Sequence, residues 1–122
     1  MSDSLDPSPS ATLVRLDGPG GLVSLRRRVR GMLADCPASV VIDVVLLADG
    51  LGAAACEHGI APFDVRLFRS GPGRVRVEVE PIPGRPDLGL GARVLDSVST
   101  RWGFGPDGLL WAERELDDIS RS

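Results

Sequence analysis

Lysine and tyrosine are missing altogether from these 122 residues, and the fourteen basic side chains are all arginine. Without lysine there is no amine for a Schiff base or for a lysine general base. With no tyrosine and 4% aromatic content, stacking platforms for nucleic-acid bases are hard to assemble. Histidine occurs once, as His58, and the two cysteines, Cys36 and Cys56, have no CxxC spacing, so a zinc site lacks its ligands. Both thiols are expected to be free and buried in a reducing compartment. No segment approaches eighteen uninterrupted apolar residues, and the opening MSDSLDPSPS lacks the charged-then-apolar order of a signal peptide. The expected location is cytoplasmic, with neither membrane nor nucleic acid as partner. A formal charge of −3 adds no general attraction to a phosphate backbone.

What is present fits one globular domain, with 43% hydrophobic and 25% charged residues in a chain long enough to bury a core. Residues 1–10, rich in Ser, Asp and Pro, are expected to form a disordered tail, residues 11–116 the domain, and 117–122 a polar tail. The longest apolar stretch is Val40–Gly59. Its length exceeds that of a typical strand, and Val41, Val44, Val45, Ala48, Leu51, Gly52 and Ala55 share one helical face. A helix of about 27 Å is predicted, capped by Ser39 and ended by Gly59. Gly50 and Gly52 oppose it, each costing about 1 kcal/mol relative to Ala.

Before that helix, Ala11–Leu16 suits an edge strand and Asp17–Gly21 breaks the chain. Ser24 is the expected cap of a helix to about Ala34, with Leu25, Val29, Met32 and Leu33 as its inner stripe. Arg26, Arg27, Arg28 and Arg30 lie mostly off that stripe. They read as a solvated face, with a phosphate or acidic-partner site as the alternative. Phe63–Arg69 and Arg74–Glu80 alternate with period two and form an antiparallel hairpin with cross-strand Arg–Glu pairs on its wet face. Pro81–Leu88 is a proline-rich loop. Gly89–Arg101 resumes a helical stripe, turns flank Trp102–Phe104, and Leu109–Glu113 is a last strand. Helices and antiparallel strands grouped in this way indicate an α+β two-layer sandwich.

This order, together with three pieces of sequence, resembles the GHKL (Bergerat-fold) ATPase superfamily, and within it the small anti-sigma factors related to serine-protein kinases. The likeness covers about Thr12–Glu113. Val40–Gly59, ending in Glu57-His58-Gly59, is similar to the N-box helix. Leu88-Gly89-Leu90-Gly91 with Val94-Leu95-Asp96 is similar to the glycine box, and Thr100–Phe104 with Gly108–Glu113 to the closing hairpin. The resemblance implies a mixed, mainly antiparallel sheet with helices on one face. It implies a nucleotide pocket bordered by His58, Gly84, Gly89 and Gly91.

It also implies a loss. The family's general-base Glu falls on Gly50 and its Mg²⁺-holding Asn on Ala54; positions 50, 54 and 58 share a helix face, but neither substitute carries an oxygen. No Asp followed by xGxG occurs in Pro81–Gly84, where the nearest carboxylate is Glu80. Three vacancies in one site imply lost phosphoryl transfer, no metal, and at most weak, Mg-free ATP binding through backbone N–H groups at Gly89 and Gly91. The implied function is therefore protein binding to a sigma factor or a STAS-type anti-anti-sigma protein, with homodimer formation as in family members. The enzymatic alternative is a serine-protein kinase with Glu80 or Glu57 standing in. His58 is read either as a pocket wall or general base, or as a C-terminal His satisfying a last-turn carbonyl. A third reading makes Val40–Leu47 a strand: Val40–Asp43 before Asp49–Gly52 is similar to part of a STAS domain, without a phosphorylatable Ser in the loop.

Overall fold

The computed structural model describes residues 10–70 and 73–116. The expected tails thus lie outside the described residues, as do Gly71 and Pro72 of the hairpin turn; Ser10 alone of the first tail is described, and it opens a strand. The elements in chain order are β1 (Ser10–Leu16), α1 (Leu22–Met32), α2 (Ala38–His58), β2 (Phe63–Ser70), β3 (Arg74–Glu80), α3 (Leu90–Val98), β4 (Arg101–Phe104) and β5 (Leu110–Glu115). The five strands form one sheet in the order β1-β2-β3-β5-β4, with β1 at one edge as the sequence suggests. The architecture is the expected α+β two-layer sandwich, but every strand pair is antiparallel rather than some parallel. The reason lies in the order: β3 and β4 run in the same direction, and β5 lies between them, so that relationship never becomes a pair.

The alternation in the hairpin segregates the sheet faces. Phe63, Val65, Leu67, Val75, Val77 and Val79 point into the core and are buried. The opposite face is a lattice of ion pairs: Arg66 reaches Glu80 at 2.7 Å, and Arg76 reaches Glu78 at 2.7 Å and Glu113 at 2.8 Å. The Arg76 guanidinium also lies 4.6 Å from the ring centre of Trp111. The two tryptophans occupy different layers. Trp102 stands opposite buried Ala112 on the core side, and Trp111 opposite Gly103 on the outer side. Glu80 also faces outward, which removes it from any site on the helical layer.

The central stretch is helical, as expected from its length. Val40, Val44, Leu47, Ala48, Leu51, Gly52 and Ala55 are buried, while Val41 and Val45 lie at the margin. A helix through Val40–Leu47 rules out the strand that a STAS fold needs. Among the described residues α2 is also the one helix long and apolar enough to span a bilayer by composition; in this fold it forms the middle of the helical layer. Neither serine is its helix cap. Ser39 lies within the first turn of α2, whose N-cap is Pro37, and the Pro37 carbonyl accepts the N–H of Val40 and Val41. Ser24 lies within α1, because a 3-10 turn at Pro19–Gly21 runs directly into it. The inner stripe of α1 is as expected, with Leu25, Val29 and Leu33 fully buried and Met32 packed against them.

α3 ends earlier than its pattern suggests. The Thr100 N–H donates to the Glu113 carbonyl at 2.6 Å, so sheet pairing takes over where the helix would have continued. The 81–88 loop is anchored by Ile82, which is fully buried and whose N–H donates to the Gly108 carbonyl at 2.7 Å. Cys36 and Cys56 are free and half-buried rather than buried. Burial pushes both thiols up, so neither is primed as a nucleophile.

Candidate functional site

The helical layer has a concave region between α2 and α3. Its inner part has a volume of about 250 Å³ and is lined by Gly50, Ala53, Ala54, Leu88, Leu90 and Val94, with Glu57, His58 and Gly91. An outer part of about 550 Å³ adds Asp87 and Gly89. The i, i+4, i+8 spacing therefore does bring Gly50, Ala54 and His58 to one groove. Gly89 and Gly91 join them from the start of α3. Gly84, a turn residue with φ of 85°, is not among the lining residues.

Gly50 lies in the wall of the groove. A Cβ there would meet Leu95 at 3.5 Å and Val94 at 3.9 Å, ordinary contacts, so packing does not demand a glycine. Two residues on, a Cβ at Gly52 would fall 2.5 Å from Leu22 Cδ2 and 3.4 Å from Leu25 Cδ2; here the absence of a side chain lets α1 close on α2. Gly59 is also needed for close approach, since a Cβ would lie 2.7 Å from the Pro81 carbonyl oxygen and 2.8 Å from that of Ala55. That contact sets the 81–88 loop beneath the end of α2.

The segment 87–92 is bonded within itself. The Gly89 N–H donates to Asp87 Oδ1 at 2.9 Å, that of Gly91 to the Leu88 carbonyl at 3.0 Å, and that of Ala92 to the Gly89 carbonyl at 3.1 Å. Gly89 holds φ at 58°, a left-handed backbone that favours glycine for the turn itself. An anion arriving here would have to displace these acceptors and approach the Asp87 carboxylate. His58 ends α2 with Nε2 3.7 Å from Glu57 Oε1, and the last-turn Ala55 carbonyl takes its bond from the Gly59 N–H instead. Glu57, 74% exposed, is the one acid that α2 contributes to the lining.

Around this polar corner the surface is apolar. Leu90 is 77% exposed and Val94 39%, and on the outer ridge of α2 Ile42 and Leu46 stand one turn apart, 58% and 43% exposed. The acids nearest that ridge are held sideways by arginines: Asp49 by Arg26 at 2.9 Å and Asp43 by Arg114 at 2.9 Å. Among the described residues no three His, Cys, Asp or Glu side chains converge as metal ligands would.

What such a groove can do is bind an apolar side chain; one carboxylate and one imidazole at its end could in addition exchange a proton. Sequence reasoning singled out Gly50, Ala54, His58, Gly89 and Gly91, which the fold brings to one groove. It missed Leu90, Val94, Ile42 and Leu46 as an exposed set, although the i, i+4 spacing of the two α2 residues was there to be read. No protein-family model matches this chain, and no curated protein matches it.

Proposed function

We propose that this chain is a regulatory protein-binding domain, a catalytically inert relative of the anti-sigma serine-protein kinases. It acts by docking a sigma factor or a STAS-type anti-anti-sigma protein. The observation that carries this reading is the chemistry of the α2–α3 groove. Where the family needs a base and a magnesium ligand, Gly50 and Ala54 offer no side-chain oxygen. The loop N–H groups expected to hold phosphates already have acceptors, one of them a carboxylate. What the groove presents outward is apolar, with Leu90 and Val94 at its rim, as suits the centre of a protein interface.

Incubation with Mg-ATP and a STAS-type protein is expected to give a complex without phosphoserine. Leu90→Asp, a substitution that suits the first turn of a helix, should weaken that complex by about thirtyfold, as loss of a central interface anchor does. Robust phosphate transfer would overturn the reading.

One observation favours the enzymatic alternative enough to keep it: Glu57 and His58 stand together at the end of the groove, 3.7 Å apart. In that case Glu57 serves as the base of a rebuilt kinase site. Isothermal titration separates the two. Magnesium-dependent micromolar ATP binding, with transfer abolished by Glu57→Gln, supports the kinase; no heat in the same titration supports the docking domain.

A further inference from the structure

The far edge of the sheet carries a second concave surface, between β1 and the flank of α1. It encloses about 330 Å³ and is lined by Leu13, Val14, Arg15, Ser24, Arg27 and Arg28. Three independent features meet there. First, β1 is the edge strand: its ladder runs to β2 alone among the described strands, so alternate N–H and C=O groups on its other side are open to pairing. Second, the neighbouring helix face is basic and uncommitted. Arg26 is held by Asp49 and Arg15 by Asp64, whereas Arg27 and Arg28 make no ion pair with any described residue. Third, the cleft has an apolar lining besides its arginines, since Leu13, 55% exposed, and Val14 line it.

We propose that this cleft takes an extended acidic segment of a partner protein, which adds to β1 as a sixth strand and sets its carboxylates on Arg27 and Arg28. An edge strand beside a helix is a geometry in which main-chain hydrogen bonds supply affinity and alternate side chains supply selectivity. Here the selectivity is for carboxylate, because the guanidinium fork matches it and the helix offers two such forks without competitors. Charge also decides against self-pairing. A second β1 would bring its own Arg15, Arg27 and Arg28 against these, and like charges across an interface are costly. The cleft lies at the opposite edge of the sheet from α3, and the inference is independent of the α2–α3 groove.

The probe is a fluorescein-labelled, acetylated octapeptide alternating Val and Glu, followed by anisotropy and by amide hydrogen exchange of the full chain. Saturable binding is expected, weakening as salt rises. It should fall about tenfold or more in the double variant Arg27→Glu/Arg28→Glu, with slower exchange at alternate amides of β1. Both arginines are exposed, so the fold should persist; if circular dichroism shows otherwise, Arg27→Gln/Arg28→Gln replaces the pair. Equal binding of a Val–Gln octapeptide, or undiminished binding to the charge variants, overturns the proposal. So does inorganic phosphate displacing the peptide with no change at the β1 amides, which would mark a plain anion site. Concentration-dependent association of the peptide-free chain with protection of β1 also overturns it, in favour of a second copy.

Discussion

Gly52 and Gly50 sit two residues apart on α2 and face different neighbours. On the α1 flank, Gly52 allows contact so close that a single added carbon would overlap Leu22, and the Arg26–Asp49 pair bridges the same two helices. On the α3 flank, Gly50 leaves a groove that Leu95 and Val94 do not fill. The same residue type thus serves compaction on one side and accessibility on the other. Stability should reside in the first flank and recognition in the second, and substitutions can separate them.

The largest effect is expected from Gly52→Val. Its branched side chain has nowhere to go between Leu22 and Leu25, and overpacking of this kind costs about 2–3 kcal/mol, readable as a lowered urea midpoint. Gly50→Ala is expected to do the reverse, stabilising α2 by up to about 1 kcal/mol through helix propensity while narrowing the groove and weakening partner binding. Should Gly50→Ala destabilise and Gly52→Val be tolerated, the contrast between the flanks fails.

Acid pH tests a different part of the scaffold. The hydrogen bond from Arg69 holds the Asp35 carboxyl below its ordinary range. At Glu113 burial pushes upward, but the hydrogen bonds from Arg76 and Arg101 outweigh it, and the net shift is downward. A carboxylate with a depressed folded-state pKa contributes stability above its unfolded value, here 3.8 for Asp35 and 4.5 for Glu113, and loses it as pH falls through the folded value. The melting temperature should therefore be flat above about pH 5 and drop below that, and Glu113→Gln should flatten the drop. The smallest effect is that of the Arg26–Asp49 pair. A double-mutant cycle should give about 0.5 kcal/mol, since both side chains are about a third exposed.

Different parts of the chain were legible in sequence to different degrees, for physical reasons. The β2–β3 hairpin declared itself because one face is wet, and strict alternation follows from that. The helix at 38–58 was readable from length and apolar spacing despite its glycines, since burial of one face outweighs their propensity cost. Ser24 and Ser39 are good caps in isolation, but a 3-10 turn already leads into α1, and Pro37 caps α2, which starts one residue before Ser39. Ile82 could not be found by periodicity, as a lone apolar residue between prolines has no period. In the groove, positions 50, 54 and 58 were placed by spacing alone. That the loop N–H groups bond to Asp87 and Leu88 depends on backbone conformation, which residue types do not fix.

The placement of the two tryptophans gives the molecule a built-in optical probe. Trp102 donates its indole N–H to Asp96 Oδ1 at 2.7 Å, clasping β4 to the helix that forms one wall of the groove, while Trp111 lies under Arg76 on the other side of the sheet. A ligand that shifts α3 should alter the emission of Trp102 and leave Trp111 as an internal reference. Paired single-tryptophan variants could then tell, without any attached dye, on which side of the sheet a partner has landed.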